Sequence, residues 1–350
     1  MLGTRPEIIK FYPIIKYCQD HKLDHFVIHT NQHYDASMDK AFFEELNISY
    51  PNYNLNVRSG SHAVMSAKMI LGIEQILETE KPTHLLVQGD TNSTMAGALV
   101  ATKMHIKVAH IEGGLRSYDR DMPEEINRII VDHIADYIFP PTQAQKNILL
   151  GEGISDQKII VSGNTIVDAI YLCKDQKPSF ETIVDQLNLK NQKFVLLTCH
   201  RPSNTDNLEC FQNILEGINE ICKAEDLICI FPAHPRLDQQ TNLIAQYSQI
   251  KVIKPTSFLN SILLQNYSEM IFTDSGGIQE ESCILEKKTI ILRTNTERPE
   301  SVEVGGAILL DEITADDIKA KFEILKNRTV TWYNPFGNGK SAQIIMEAMR

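Results

Sequence analysis

The sequence TDSGGIQEES, residues 273–282, follows a short apolar run at Met270–Phe272. The apolar run predicts a β-strand, Ser-Gly-Gly predicts a turn, and residues 278–285 can begin a helix. Glycine backbone lets a phosphate reach the N–H groups of a helix N-terminus, where the helix dipole favours an anion. Ser275 can add a hydroxyl donor, and Glu281 is placed to accept from ribose hydroxyls. The same residues also fit a tight turn followed by two carboxylates that complement the helix dipole.

Working outward from this stretch, the chain alternates short apolar runs with longer helical patterns. The predicted strands are Phe26–His29, Leu85–Val87, Val108–His110, Tyr137–Phe139 and Ile159–Val161, then Phe194–Thr198, Ile228–Phe231, Val252–Ile253, Met270–Phe272, Thr289–Leu292 and Ala307–Leu310. This alternation predicts parallel sheets with helices on both faces. Two series of strands predict an α/β protein with two Rossmann-like, doubly wound domains. The polar stretch Cys173–Phe180 lies near their boundary.

The composition argues against several classes of function. The net charge of −11 argues against a nucleic-acid-binding surface. The seven cysteines include no CxxC pair, which argues against a zinc site or a disulfide framework and favours a reducing, cytoplasmic location. No apolar run approaches the ~20 residues that a membrane span needs. GxGxxG is absent, so a nicotinamide has no visible cradle, and we predict neither a cofactor nor a metal.

The N-terminal sequence GTRPEIIK, residues 3–10, also combines a glycine turn with charged residues. Thr4 and Glu7 form a capping-box pattern. Arg5 and Lys10 bring two cations close to the predicted helix start. An ordinary capped helix with exposed charges would show the same pattern, but two basic residues beside a glycine turn favour phosphate binding.

Three carboxylates lie where strands end or a helix begins. Asp90 and Glu112 each come just after a predicted strand, and Glu124 opens a helix predicted for Pro123–Ile134. The carboxyl ends of parallel strands face the ligand crevice, so three acids there favour proton transfer over helix capping. His200 ends a strand of the second domain, and a cleft between the domains could bring it opposite the acids.

The helix predicted for residues 123–134 has an apolar face. Ile126, Ile129, Ile130 and Ile134 recur at helical spacing along it. His133 falls on the same face. We therefore predict that this histidine is part of either the core or an interface.

Ten motifs occur in the order seen in non-hydrolysing UDP-N-acetylglucosamine 2-epimerases. They are GTRPEIIK (3–10), NQHYD (31–35), QGDTNST (88–94), HIEGGLRS (110–117), MPEEINR (122–128), GNTIVDA (163–169), CHRPSN (199–204), PAHPR (232–236), TDSGGIQEE (273–281) and TERPES (296–301). The chain thus resembles this family over nearly its whole length. The resemblance implies two Rossmann-like domains facing a cleft in the glycosyltransferase-B arrangement. It places residues 1–165 and the C-terminal helix 336–350 in the first domain, with the catalytic carboxylates, and residues 166–335 in the second, UDP-binding domain.

The resemblance also implies a reaction and a set of site residues. Family members interconvert UDP-N-acetylglucosamine and UDP-N-acetylmannosamine without nicotinamide or an obligatory metal, usually as homodimers. By similarity, the catalytic residues are Asp90, Glu112, Glu124 and His200, and the substrate-binding residues are Arg5, Lys10, Ser275, Gly276, Gly277, Glu281 and Arg298. We assign Glu112 and Glu124 as the acid/base candidates. Asp90 supports them, and His200 serves the leaving diphosphate.

The family's chemistry explains why these residue types are needed. The hydrogen on sugar carbon 2 is not next to a carbonyl, so simple deprotonation is too costly. The family instead breaks the anomeric C–O bond: UDP leaves anti to that hydrogen, giving 2-acetamidoglucal, and re-adds after a proton arrives on the other face. Arginines and helix N-termini stabilise the diphosphate, and carboxylates can take and return the proton.

The sequence departs from the family pattern at several positions. Gly113 stands where alanine is usual, which we expect to be harmless. Glu286 stands where many members have glycine, and it would need a changed turn if that glycine had a positive φ. Bacterial members bind a second UDP-N-acetylglucosamine as activator. Gln32 and His33 match part of that region, whereas Asp35 replaces a common glutamine.

The first strand of the family pattern is incomplete in this sequence. Only Met1 and Leu2 precede GTRPE, whereas the family has a full strand there. Two residues cannot span a central strand at ~3.3 Å each. We therefore expect a chain extended upstream by ~6 residues to be markedly more stable.

Two alternative functions remain open. Within the family, the substrate could be a related UDP-sugar such as a 2,3-diacetamido uronic acid. The intact GTRPE, Arg298 and the pair Glu280-Glu281 favour the plain sugar. From a different class, the chain could be a UDP-sugar-binding protein or a glycosyltransferase of the same fold, although the presence of all three acids argues against this.

Overall fold

The computed structural model describes residues 1–31, 43–58, 60–174, 177–190, 192–233, 235–296 and 298–350. Gln32, His33 and Asp35, which bear on the activator question, lie outside the described residues. The same holds for His234 of PAHPR and Glu297 of TERPES. Within the described ranges, no helix is both long enough and apolar enough to cross a membrane.

The chain divides into two compact units. Unit 1 comprises Met1–Leu172 and Phe336–Arg350, and unit 2 comprises Cys173–Pro335. The boundary falls later than residue 165, where we expected it, because the helix that begins there packs with the C-terminal helix. Asp168 accepts hydrogen bonds from the backbone N–H groups of Ser341 at 3.2 Å and Ala342 at 3.0 Å.

Helices and strands alternate through most of the described residues. The helices are α1 (Arg5–Asp20), α2 (His62–Glu80), α3 (Asn92–Lys103), α4 (Pro123–Ile134), α5 (Gln143–Gly151), α6 (Thr165–Cys173), α7 (Lys177–Gln186), α8 (Pro202–Thr205), α9 (Leu208–Ala224), α10 (Thr241–Ile244), α11 (Phe258–Tyr267), α12 (Gly276–Ile284), α13 (Pro299–Glu303), α14 (Ala315–Asn327) and α15 (Ser341–Ala348). The strands are β1 (Ile28–His29), β2 (Tyr53–Asn54), β3 (His84–Gln88), β4 (Lys107–Ile111), β5 (Tyr137–Phe139), β6 (Phe194–Thr198), β7 (Ile228–Pro232), β8 (Ile250–Ile253), β9 (Ile271–Thr273), β10 (Thr289–Ile291) and β11 (Ala307–Leu309). The run predicted at residues 159–161 contributes a single bridge, from Ile159 to Ile138 of β5.

The sheet of unit 1 reverses its strand order beside the chain's first residues. β3, β4 and β5 pair in parallel, as do β1 and β2. Leu2 bridges to His29 of β1, and the Met1 amine donates to the carbonyl oxygen of Leu86 in β3 at 2.8 Å. The spatial order is therefore β2, β1, Leu2, β3, β4, β5. The order reverses between Leu2 and β3, and ligands of such sheets bind beyond the carboxyl ends of the strands at this switch point.

Unit 2 contains a six-stranded parallel sheet in the order β11-β10-β9-β6-β7-β8. Counted from β6, this is the 3-2-1-4-5-6 order of a doubly wound sheet, with its switch point between β6 and β9. The predicted fold class, α/β with parallel Rossmann-like sheets in separate domains, is confirmed.

Apolar patterning explains why unit 2 folds this way. The first four residues of β6 are all buried, as expected for a parallel strand covered on both faces. Helix α9 buries Phe211, Ile214, Leu215 and Ile218, whose spacing places them on one helical face. These four side chains belong to the core that β6, β7 and β9 also enter.

Helix α4 has the predicted bounds but turns an unexpected face inward. Its buried side chains are Glu125, Asn127, Val131 and Asp132. Ile130 is 37% exposed, and His133 is exposed as well. The core alternative for His133 is therefore wrong. The polar face is buried because it supplies partners to the strand ends described below.

Candidate functional site

A buried carboxylate joins the two strand ends at the switch point of unit 2. Asp274 follows β9 and has no exposed surface. It accepts hydrogen bonds from the backbone N–H groups of His200 at 3.0 Å and Arg201 at 2.9 Å, which follow β6. The ring Nδ1 of His200 lies 3.0 Å from Asp274 Oδ1. Burial alone would raise the pKa of Asp274, but the bonds from His200 and Arg201 hold it below its ordinary value. Asp274 is thus an ionised group that orients His200.

The turn predicted to bind a diphosphate is the start of α12. Ser275 is the N-cap, and its Oγ accepts a long hydrogen bond of 3.5 Å from the backbone N–H of Ile278. Gly276 and Gly277 are the first two helical residues. A Cβ built on Gly277 would meet Ser275 Oγ at 3.9 Å and nothing closer. Packing within unit 2 therefore does not require glycine at position 277.

Two further predicted residues lie close to this helix. Glu281, on α12, accepts a hydrogen bond from Gln265 Nε2 of α11 at 2.6 Å. Burial raises the pKa of Glu281 to about 7, the bond from Gln265 opposes that shift, and the charge of Glu280 adds to it. Arg298 Nε lies 3.2 Å from Glu280 Oε1. Glu281 is therefore an acceptor whose charge changes near neutral pH.

At the switch point of unit 1, Glu7 ties the start of α1 to its surroundings. Thr4 is the N-cap of α1, but its side chain makes no capping bond to the helix. Its hydroxyl instead donates to Glu7 Oε2 at 2.8 Å. Glu7 is buried and also accepts from the Gly3 N–H at 3.0 Å and from Thr91 Oγ1 at 3.0 Å. Only half of the predicted capping box is present: Glu7 reaches back to the backbone N–H groups before α1, but Thr4 donates its hydroxyl to Glu7 and does not cap the helix. Arg5, the first residue of α1, is exposed.

Glu112 follows β4 directly and is tightly held. Lys10 Nζ, from α1, lies 2.6 Å from Glu112 Oε1, and Gln88 Nε2, at the end of β3, donates to Glu112 Oε2. The Glu112 side chain is 9% exposed. Its φ is +64°, in the left-handed region that non-glycine residues seldom adopt. Such strain persists where the surroundings over-determine a residue, and it concentrates at functional sites.

Asp90 is held by the buried polar face of α4. Arg128 Nη2 lies 2.5 Å from Asp90 Oδ2, and Arg128 Nη1 lies 3.0 Å from Glu125 Oε2. Asn127 Nδ2 donates to the backbone carbonyl oxygen of Asp90 at 2.8 Å. Asp90 therefore forms an ion pair with a cation that is itself fixed by a second acid.

Glu124 differs from the other two predicted acids. It lies half-buried in the first turn of α4. Within the described part of the chain, no hydrogen bond or ion pair reaches its carboxylate. In unit 1 the structure thus brings Lys10 to Glu112 and the Asp90 turn to α4, and it leaves the Glu124 carboxylate available for another partner.

Reasoning from the sequence missed the side chains that hold the predicted residues. Gln88, Arg128 and Asp274 lie inside QGDTNST, MPEEINR and TDSGGIQEE, so the motifs contained them without revealing their contacts. Gln265 lies outside the ten motifs, and no pattern in the sequence links it to Glu281.

Two doubly wound units, each with a polar site at its switch point, define a Rossmann-like α/β protein. The family model for UDP-N-acetylglucosamine 2-epimerase matches residues 16–350. The UDP-N-acetylglucosamine 2-epimerase of Methanocaldococcus jannaschii is 49% identical over 357 residues, which cover 100% of this chain and 97% of that protein. The crystal structure of the M. jannaschii UDP-GlcNAc 2-epimerase in complex with UDP-GlcNAc and UDP is 47% identical, with a TM-score of 0.80 over 99% of this chain and 98% of that one.

A relative with a different substrate also matches. The UDP-2,3-diacetamido-2,3-dideoxy-D-glucuronate 2-epimerase of Pseudomonas aeruginosa is 37% identical over 314 residues, which cover 89% of this chain and 87% of that protein. The chain belongs to the UDP-N-acetylglucosamine 2-epimerase family. The membership predicted from the ten motifs is confirmed, and with it the epimerase class.

Proposed function

We propose that this enzyme reversibly converts UDP-N-acetylglucosamine to UDP-N-acetylmannosamine by epimerisation at carbon 2. The anomeric C–O bond breaks as a proton leaves carbon 2 on the opposite side, which gives 2-acetamidoglucal and UDP. A proton then returns to carbon 2 on the other face, and UDP adds back at the anomeric carbon. No electrons are gained or lost overall, so the reaction needs no nicotinamide.

We assign UDP binding to unit 2. The backbone N–H groups at the start of α12 point at the position an anion would occupy, and the dipole of α12 favours the charge that develops on the leaving diphosphate. His200, oriented by Asp274, adds a donor for the same charge. Arg298 adds a cation, and Glu281 can accept from both ribose hydroxyls.

We assign proton transfer to unit 1. Glu112 and Glu124 are the acid/base pair, and their surroundings differ in a way that suits opposite tasks. Lys10 and Gln88 hold Glu112 in place, whereas no hydrogen bond or ion pair within the described residues reaches the Glu124 carboxylate. Asp90 supports both through its ion pair with Arg128, and Arg5 supplies an exposed cation.

The main support for the proposal is that charged and hydroxyl side chains lie at the switch point of each sheet. Arg5 and Asp90 lie just beyond the strand ends that flank the switch point of unit 1. His200 and Ser275 lie just beyond those that flank the switch point of unit 2. A sheet that serves only as a scaffold would not need charged and hydroxyl side chains at this position.

Proton NMR of the purified protein with UDP-N-acetylglucosamine tests the proposal. We expect signals of UDP-N-acetylmannosamine to appear and to reach the same final ratio from either sugar. Identity of 49% to an enzyme named for the plain sugar, against 37% to the diacetamido-glucuronate enzyme, favours the plain sugar. A larger kcat/KM for the diacetamido-glucuronate substrate would reassign the substrate. Binding of UDP-N-acetylglucosamine without any epimer would instead favour a binding protein or a glycosyltransferase.

We further propose a homodimer that uses the exposed face of α4. Ile126 and Ile129 are half-exposed there, and Ile130 and His133 are exposed, which is an apolar surface that a second copy could cover. We expect light scattering to give twice the chain mass, and Ile130→Glu to give the monomer mass. Leu208→Glu, at a leucine that is 58% exposed in unit 2, is the matched control and should leave the dimer intact. A cytoplasmic location stays a prediction.

A further inference from the structure

Unit 1 contains a buried histidine, His110, close to the predicted acids. The proposed reaction does not use it. His110 is on β4, two residues before Glu112, and has no exposed surface. Its Nδ1 lies 2.7 Å from Asp132 Oδ1, and its Nε2 lies 2.8 Å from the carbonyl oxygen of Gly89. A carboxylate and a carbonyl oxygen can only accept hydrogen bonds. Both ring nitrogens must therefore donate, which makes His110 an imidazolium cation.

The charges around His110 support this protonation state. Burial alone would lower the pKa of His110, but Asp132, the Gly89 carbonyl oxygen and the more distant Glu112 together raise it above its ordinary value. Asp132 is itself buried and also accepts from Arg116 Nη1 at 2.7 Å. Three charged groups therefore surround the imidazolium. The Asp132 carboxylate contacts it, the Glu112 carboxylate lies further away, and the Arg116 guanidinium contacts Asp132.

The contacts of His110 join the three elements that carry the predicted acids. Gly89 is the residue before Asp90, at the end of β3. His110 lies on β4, which leads to Glu112. Asp132 lies on α4, the helix that carries Glu124 in its first turn. The His110 side chain therefore connects the turn that carries Asp90, the strand that leads to Glu112 and the helix that carries Glu124.

Bare backbone at Gly113 makes room for this link. A Cβ built there would lie 2.7 Å from Asp132 Oδ1 and 3.2 Å from His110 Nδ1, as well as 2.4 Å from Ile138 Cγ2. We expected glycine at this position to be harmless. The structure shows in addition that it lets β4 approach the His110–Asp132 pair closely.

We propose that His110 is a positioning residue for epimerisation, and that its doubly donating imidazolium fixes the spacing of Asp90, Glu112 and Glu124. This inference rests on the proposed function. A positioning role predicts that loss of His110 lowers turnover, whereas a purely structural role predicts unchanged turnover. A displacement of about 1 Å in a reacting group can cost about 100-fold in rate. A core contact that only stabilises the fold would affect melting and leave the chemistry intact.

The test compares His110→Gln with a variant at the outer edge of the same charge cluster. Glutamine can donate to Gly89 or to Asp132 but cannot bridge both. We expect kcat to fall roughly 10- to 100-fold, with the Kd for UDP unchanged within about twofold. The control is Glu152→Gln, because Glu152 pairs with Arg116 at 2.6 Å and does not touch His110. The control should lower Tm and keep the wild-type kcat.

A spectroscopic measurement on the unaltered protein checks the charge state. Selective ¹⁵N labelling of the histidines should show, at a pH above the ordinary histidine pKa of about 6.5, a solvent-protected histidine with both ring nitrogens protonated. A spectrum in which every histidine is neutral at that pH would overturn the proposal, as would a wild-type kcat in His110→Gln. If the wild-type protein itself forms no epimer while the protonated histidine is present, the proposed function fails and the charge assignment stands.

Discussion

The two switch points of this protein present ligands with different kinds of group. In unit 1 the groups are charged side chains that the protein has already paired: Glu112 with Lys10, and Asp90 with Arg128. In unit 2 the central group is the backbone of Gly276 and Gly277, and a Cβ built on Gly277 would meet nothing closer than Ser275 Oγ at 3.9 Å. One sheet therefore supplies fixed charge, and the other supplies an uncovered helix N-terminus.

The difference indicates a division of work between the units. Side chains held by partners have defined positions and charges, as proton transfer requires. An uncovered helix N-terminus binds an anion without a dedicated side chain. We therefore expect changes in unit 1 to lower turnover at constant UDP affinity, and changes at the start of α12 to lower UDP affinity.

The largest expected effect comes from the acids of unit 1. Glu112→Gln and Glu124→Gln keep the size of the side chain but remove the base. Each should lower turnover by roughly 100- to 10,000-fold, the usual range for a positioned acid or base. UDP affinity should stay close to wild type. Turnover, the Kd for UDP and Tm would be measured on the same variants.

A matched variant controls for helix-dipole effects. Asp316 is also a first-turn carboxylate, on α14, and its side chain is 95% exposed. Asp316→Asn should cost only ~0.3–1 kcal/mol of stability, with normal turnover. If Glu124→Gln behaves like Asp316→Asn, Glu124 only complements the dipole of α4, and normal turnover in both glutamine variants would contradict the comparison between the units.

The second effect concerns the backbone of unit 2. Gly277→Ala meets no protein atom within ordinary contact distance except Ser275 Oγ at 3.9 Å. Stability should therefore hold or rise, because alanine is a better helix former than glycine. Under the proposed mode of UDP binding, the added methyl group obstructs the diphosphate, so the Kd for UDP should rise by about tenfold, or ~1.4 kcal/mol.

Gly151→Ala is the control for this variant. Gly151 ends α5 in unit 1, and a Cβ there would meet nothing within 4 Å. It should show the same tolerance in Tm without any loss of UDP affinity. Equal UDP affinity in both alanine variants would mean that the diphosphate does not approach Gly277.

A smaller effect follows from the titration of Glu281. Burial raises its pKa to about 7, so the carboxylate form, which we propose accepts from ribose, is lost as the pH falls through that value. From pH 8 to pH 6 the ionised fraction falls roughly tenfold. We expect UDP to bind wild-type protein more weakly at pH 6 by about that factor, relative to Glu281→Gln. The protonation of UDP itself is common to both proteins and cancels in this ratio. A pH-independent ratio would remove Glu281 from ribose binding.

The smallest effect is on stability alone. Glu286 has a φ of +57°. Its N–H bonds to the Cys283 carbonyl oxygen at 3.1 Å, and the Lys287 N–H bonds to the Ser282 carbonyl oxygen at 2.8 Å. These two bonds form a Schellman turn in which Glu286 takes the position usually held by glycine. Glu286 therefore adopts the positive φ itself, and the turn closes with both of its hydrogen bonds.

This turn gives a defined prediction for α12. Glu286→Gly should raise the free energy of unfolding by ~0.5–1 kcal/mol, because glycine adopts positive φ at little cost. Glu286→Ala keeps a Cβ and should give no gain. Tm and UDP affinity would be followed for both variants, and a gain in the alanine variant would assign the effect to charge instead.

Elements set by local sequence were predicted well. The bounds of α4 follow from Pro123 at its start and from helical spacing along it. The strand ends that carry Asp90 and Glu112 follow from short apolar runs. The residues at the switch points were recognisable because they lie inside motifs whose order is specific to one family.

Features set by distant residues were not predicted. The sequence places Glu7 at the start of a helix, but it does not show that Thr91, 84 residues away, donates to it. The spacing of the isoleucines in α4 predicts an apolar face but does not show whether that face packs against the sheet. In the structure the opposite face, which carries Asp132, is buried. The partner of Asp90 lies 38 residues further on, at Arg128. Such contacts depend on how strands are ordered in the sheet, which a single sequence does not display.

The central claim is that unit 1 moves a proton at carbon 2 while unit 2 holds the departing UDP. The most direct test is to run the reaction in heavy water and to follow it by NMR. The account predicts deuterium at carbon 2 of UDP-N-acetylmannosamine, and slow release of UDP and 2-acetamidoglucal on long incubation. Product formed without deuterium at carbon 2, or formed only when NAD is added, would contradict it.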